Sequence, residues 1–123
     1  MPRVLIIEDN PNNMELMTFL LETHGYEVLQ SFSGLDGVAR ALADRPDFIL
    51  LDIQLPDIMG TEVLQRIRVA PEGAQVPIIA VTSFAMAGDE ERLLRAGCTG
   101  YIEKPINPDL VMEQIRRIVE KPT

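Results

Sequence analysis

The sequence predicts an α/β fold, a doubly wound parallel sheet with helices on both faces. Three observations carry that expectation. Short continuous apolar runs alternate with longer segments whose apolar residues recur at helical spacing. The alternation occurs five times, strand before helix each time. Three of the runs, Val4 to Ile7, Phe48 to Leu51 and Pro77 to Val81, are apolar throughout rather than at every second residue, so both of their faces must be covered.

Val4-Leu5-Ile6-Ile7 is the first strand, and it stops at Glu8-Asp9. Asn10 offers an N-cap, and Pro11 suits the first helical position, where its missing N–H costs nothing. Met14, Met17, Leu20, Leu21 and His24 form one face of that helix, and Gly25 stops it. Tyr26 to Phe32 reads as the second strand. Ser33-Gly34-Leu35-Asp36 resembles a capping box, with Leu35, Val38 and Leu42 as the face of the next helix.

Phe48-Ile49-Leu50-Leu51 is the third strand, ending at Asp52. A turn containing Pro56 leads to Gly60 and a helix carrying Val63, Leu64 and Ile67, which Ala70-Pro71-Glu72-Gly73 breaks. Pro77 to Val81 is the fourth strand and ends at Thr82. A helix is expected from about Met86 to Ala96, closed by Gly97. Thr99 to Glu103 is the fifth strand, running into Lys104-Pro105. Asn107-Pro108 repeats the cap-then-proline start, and the last helix carries Val111, Ile115, Ile118 and Val119.

Composition narrows the function. A chain of 123 residues is the size of one domain. Its net charge of −8, from 19 acids against 11 bases, argues against a nucleic-acid-binding surface. Cys98 is the single cysteine, so no internal disulfide forms, which suits a reducing compartment. His24 is the single histidine, which excludes a His-rich metal site and any His/Cys zinc spacing. No signal-peptide pattern opens the chain, and its apolar runs are far shorter than the roughly 20 residues that span a bilayer. A cytoplasmic protein is expected.

The polar residues fall at the strand ends: Glu8 and Asp9, Asp52, Thr82 and Lys104. In a parallel sheet these ends share one edge, where ligands bind. Three carboxylates there repel one another unless a counter-charge is present. Mg²⁺ fits, since it takes one or two carboxylates, keeps waters and bridges to phosphate oxygens. Lys104 then serves as a point charge for a phosphoryl oxygen and Thr82 as a hydroxyl donor. That is a phosphoryl-transfer site, where catalysis is mainly positioning and charge neutralisation.

These pieces resemble the receiver domain of bacterial two-component response regulators. The resemblance rests on Val4-Leu5-Ile6-Ile7-Glu8-Asp9, on Leu50-Leu51-Asp52 with Leu55-Pro56 and Gly60, on Pro77-Ile78-Ile79-Ala80-Val81-Thr82-Ser83, and on Ala96-Gly97 through Gly100-Tyr101-Ile102-Glu103-Lys104-Pro105. It covers essentially the whole chain. The stretch from Phe84 to Arg92 looks closest to the single-domain, cell-division type within that family.

The resemblance implies one receiver domain over residues 1–123 and a flavodoxin-like five-stranded sheet in order 2-1-3-4-5. It implies Asp52 as the phosphorylated nucleophile, taking its phosphoryl group from a histidine kinase or a histidine phosphotransfer protein. Mg²⁺ is expected on Asp9, Asp52 and the backbone carbonyl of Gln54, with Glu8 acting through a water. Thr82 and Lys104 bind the phosphoryl group, Thr82 and Tyr101 switch, and the bond from Lys104 to Pro105 is expected to be cis. The switch changes the face made by the fourth helix, fifth strand and fifth helix, which engages a downstream protein. Gln54 and Phe84, two residues beyond Asp52 and Thr82, are expected to modulate the phosphoryl lifetime. The chain departs from the family at Met59, where an acid is frequent, and at Cys98, where alanine is common. A monomer or weak dimer is expected, with no membrane or nucleic-acid partner and no turnover activity.

Each residue alone has a plainer explanation. Glu8 and Asp9 can cap a helix, Lys104 can be a solvated strand end, and Thr82 and Tyr101 can be ordinary strand residues. His24 suits a helix end, and Cys98 a small buried hydrophobe. Two other functions stay open: an aspartate-nucleophile phosphohydrolase, and a receiver excised from a larger hybrid kinase or regulator. The first needs a second acid two residues after the nucleophile, where Gln54 stands.

Overall fold

The centre of the sheet is built from the most apolar segments. The computed structural model describes residues 1–83 and 88–120. Strands β1 (Arg3–Ile7), β2 (Glu27–Ser31), β3 (Phe48–Asp52), β4 (Ile78–Thr82) and β5 (Gly100–Glu103) alternate with helices α1 (Pro11–Thr23), α2 (Gly34–Asp44), α3 (Gly60–Val69), α4 (Asp89–Ala96) and α5 (Val111–Val119). A short 3-10 turn, Pro71–Gly73, follows α3. The strands are all parallel in the order β2-β1-β3-β4-β5. This is the fold class and strand order expected from the sequence. Every residue of β3 and β4 is buried, so the two strands are covered on both faces.

The side chains of each strand feed two separate cores, because successive residues point to opposite faces. Val4, Ile6, Leu50 and Val81 pack with Met14, Met17 and Leu21 of α1 and Val111, Met112 and Ile115 of α5. Leu5, Ile7, Ile49, Leu51, Ile78 and Ala80 pack with Ala41 of α2, Val63, Leu64 and Ile67 of α3, and Leu93 of α4. Helices α1 and α5 therefore cover one face, and α2, α3 and α4 the other.

Two local expectations change. The core side of α2 is Gly34, Gly37 and Ala41, while Leu35 is 50% exposed. The reason is close approach: a Cβ on Gly37 would lie 2.5 Å from Ile7 Cδ1, so the helix seats its small residues against β1. The last helix begins at Val111 and not directly after Asn107. Asn107 instead caps a turn, its Oδ1 accepting from Asp109 N–H at 2.9 Å and its carbonyl from Leu110 and Val111 N–H. The expected start of α4 near Met86 lies outside the described residues. At α1 the reading holds: Asn10 Oδ1 accepts from Asn12 and Asn13 N–H at 2.9 and 3.1 Å, and Pro11 opens the helix. His24 ends that helix, with Nδ1 2.8 Å from Leu20 carbonyl.

One clamp was invisible in the sequence. Arg68, at the end of α3, donates from Nε to Gly97 carbonyl at 2.9 Å and from Nη1 to Gly73 and Val76 carbonyls at 2.9 and 2.6 Å. A single guanidinium joins the ends of α3 and α4 to the segment entering β4. Cys98 is buried nearby, and burial pushes its thiol up to about 11. Arg68→Ala removes three charge-assisted bonds and leaves carbonyls without donors. Its expected cost is about 2–4 kcal/mol in urea-unfolding free energy. An unchanged transition midpoint in the variant contradicts the clamp.

Candidate functional site

The C-terminal ends of β1, β3, β4 and β5 meet at one edge of the sheet. β1 ends at Ile7 and delivers Glu8 and Asp9; β3 ends on Asp52 itself, β4 on Thr82, and β5 one residue before Lys104. Register keeps the ends level: Asp52 lies opposite Val81, and Thr82 opposite Glu103. Lys104 N–H donates to Thr82 carbonyl at 2.8 Å, extending the ladder to the lysine.

Glu8, Asp52 and Thr82 are buried, while Asp9 is exposed. Carboxylate oxygens of Glu8, Asp9 and Asp52 all lie within 4.8 Å of one another. Lys104 Nζ lies 3.2 Å from Glu8 Oε1 and 3.3 Å from Asp52 Oδ2, so one ammonium serves two carboxylates. The loop after β3 adds a contact: Gln54 N–H donates to Asp52 Oδ1 at 2.9 Å. Ser83 Oγ donates to Gln54 Oε1 at 3.4 Å, joining that loop to the end of β4. Asn10 N–H donates to Glu8 Oε2 at 3.1 Å. The Lys104–Pro105 peptide bond is cis. Tyr101 is half-buried, and the charge of Glu90 beside it, with burial, raises its phenol. Phe84 lies outside the described residues.

The response regulator receiver domain family matches residues 4–116. The chain belongs to that family. It is 46% identical over 117 residues to the polar-differentiation response regulator DivK of Brucella anthropi, covering 94% of this chain and 95% of that protein. The fold is similar to chemotaxis protein CheY4 of Vibrio cholerae, with TM-score 0.90 and 26% identity over 96% of this receiver and 98% of that chain. It is also similar to the receiver domain of sensor histidine kinase PA1611 from Pseudomonas aeruginosa, with TM-score 0.88 and 34% identity over 98% of each chain. That relative was crystallised with a magnesium ion coordinated in its active-site cleft.

The donor set of this receiver suits the same kind of ion. The three side chains of the cluster offer hard carboxylate oxygens, and one ammonium does not neutralise three of them. Glu8 registers the imbalance. Burial, then its hydrogen bond and repulsion with Asp52, raise its carboxyl to about 7, against the partial relief of Asn10 N–H and Lys104. Burial alone lowers the Lys104 ammonium, but attraction to Asp52 and Glu8 more than offsets this and raises it.

The sequence reading did not single out Asp57, five residues after Asp52 at the end of β3. Its Oδ1 and Oδ2 accept from Gly34 and Leu35 N–H, both at 2.8 Å. An aspartate after a turn proline is the only local signal, and its partners lie in a different helix.

A pH dependence follows from Glu8. The native state holds this proton more tightly than the unfolded chain, whose carboxyl titrates near 4.5. The contribution to stability is complete below about 4.5 and is lost as pH rises to about 7. In chelator, Glu8→Gln should therefore gain melting temperature relative to the native sequence across that window, and Mg²⁺ should shrink the difference. Parallel melting profiles for the two proteins would count against it.

Proposed function

We propose that this receiver is a phosphorylation-controlled binding module in which Asp52 is the phosphoacceptor. The observation that carries the reading is Lys104 bridging Glu8 and Asp52 beside a third carboxylate, Asp9. Asp9, Asp52 and the Gln54 carbonyl would hold Mg²⁺, with Glu8 assisting. When bound, the ion supplies charge neutralisation for the carboxylates and the incoming phosphoryl oxygens.

Asp52 attacks phosphorus through a carboxylate oxygen. The new O–P bond gives an acyl phosphate; the P–N bond of the partner's phosphohistidine breaks, and its imidazole nitrogen keeps the electron pair and takes a proton. Lys104 then pairs with a phosphoryl oxygen in place of one of its present carboxylate contacts. Thr82 donates its hydroxyl to another. Phosphorylation adds about −1.5 to −2 charge at the edge, enough to redraw these contacts. Tyr101 follows Thr82, and the surface of α4, β5 and α5 changes for a downstream protein. The receiver phosphorylates and dephosphorylates itself but does not turn over a substrate.

A cleft of roughly 370 Å³ adjoins Glu8 and Lys104, walled by Leu16, Met17, Pro105 and Ile106. It is a suitable approach for a histidine kinase or phosphotransfer protein. Gln54, in contact with Ser83, and Phe84, assigned from its place in the sequence alone, would modulate water access to the acyl phosphate. The described helices include none long and apolar enough to cross a membrane.

Incubation with acetyl phosphate and Mg²⁺ should give a single phosphate adduct by intact mass, absent in chelator. Asp52→Asn should abolish it, and Lys104→Ala should reduce its formation by about 100-fold or more, since a preorganised charge is lost. An adduct that persists on Asp52→Asn defeats the assignment. Phe84→Ala should speed decay of the phosphorylated form several-fold; an unchanged decay rate removes Phe84 from the lifetime role.

A further inference from the structure

The loop between β3 and α3 carries the chemistry of the site at its start and is tied down at its far side. Asp52 Oδ1 accepts from Gln54 N–H within this loop. Gly60 N–H donates to Ile53 carbonyl at 2.9 Å and closes the loop at its base. Glycine is needed there, because a Cβ would lie 2.6 Å from Ile53 Cα. The tip is held by Asp57, whose two carboxylate oxygens each accept one N–H from the first turn of α2, Gly34 and Leu35. Ile58 adds packing, with a Cβ on Gly34 coming 2.6 Å from its Cγ1.

Asp57 takes two first-turn N–H groups of α2 that the helix's own cap residue does not reach. Ser33 already caps that helix, with Oγ accepting from Asp36 N–H at 3.2 Å. Asp57 therefore adds a second attachment that spans two elements. Its carboxylate also sits at a helix N-terminus, where negative charge is favoured. The N–H bonds from Leu35 and Gly34 hold its carboxyl below the usual range.

We propose that Asp57 is a positioning residue for the phosphoacceptor site. It fastens the β3–α3 loop to α2 so that Asp52 and the Gln54 carbonyl are presented in one geometry, while touching neither cation nor phosphoryl group. The inference rests on the phosphoacceptor reading above. Outer partners that orient ligands typically affect metal affinity by about 10–100-fold.

The test is calorimetric titration of metal-free protein with MgCl₂, alongside thermal unfolding and phosphorylation by acetyl phosphate. Asp57→Ala should weaken Mg²⁺ binding by about tenfold, and Asp57→Asn, which keeps one acceptor oxygen, by less. Ser33→Ala controls for the helix: it should lower the melting temperature while leaving Mg²⁺ affinity within about twofold. Phosphorylation should then recover in Asp57→Ala at saturating Mg²⁺, since the residue acts through the cation site. Affinity in Asp57→Ala within about twofold of the native protein overturns the proposal, as does equal weakening by Ser33→Ala. A native protein that binds no Mg²⁺ is a different result and overturns the phosphoacceptor reading as well.

Discussion

Lys104 places one ammonium between two buried carboxylates, 3.2 Å from Glu8 and 3.3 Å from Asp52. Buried carboxylates side by side are tolerated only with a nearby positive charge or a proton. One ammonium is insufficient for Glu8, Asp9 and Asp52 together, and burial, with Asp52 beside it, raises the Glu8 carboxyl. The edge is therefore held in a state that a divalent cation and a phosphoryl group can each relieve or rearrange. Much of the surrounding architecture serves this one constraint. The level register of β3, β4 and β5, the backbone bond from Lys104 to Thr82, and the closed loop after Asp52 all keep the charges within a few ångströms.

The strand ends were legible in the sequence because apolar runs that end in charge recur in order along the chain. Val4 to Ile7 before Glu8-Asp9 and Phe48 to Leu51 before Asp52 could only be two-sided strands delivering acids to a shared edge. The Asn10 cap was legible for a similar reason, since cap and proline are adjacent in the chain. What escaped depends on partners distant in sequence. Arg68 reaches Gly97, and Asp57 reaches Gly34 and Leu35, and neither residue type announces such a role. The face of α2 was read only in part: Val38 packs against the core as expected, but Leu35 is exposed, because the close approach of Gly37 to Ile7 sets the inner side of the helix.

The sheet also separates the two sides of the site. The cleft beside Glu8 and Lys104 is walled by α1 residues and by the segment after β5, on the face covered by α1 and α5. Tyr101 packs against the opposite core, with Leu93 of α4 and Ala80 of β4. On the proposed reading, a phosphodonor approaches on the first face and the response emerges on the second. Alternation along β5 makes this possible, because neighbouring residues of a strand point to opposite faces.

Thr82 and Lys104 connect those faces. Thr82 ends β4, and its carbonyl accepts the Lys104 N–H, so the two residues share one backbone bond. On the proposed reading, a phosphoryl group draws both side chains toward Asp52, and the ends of β4 and β5 respond as a pair. The cores beneath are close-packed on each face, with Ile79, Val81 and Ile102 on one and Ala80 and Leu93 on the other. Such cores resist gradual deformation, so on that reading the response is directed into the half-buried Tyr101 and the surface around it. Charge placed at a rigid edge would thus become a change of shape at the neighbouring surface, which is the property the proposed binding module requires.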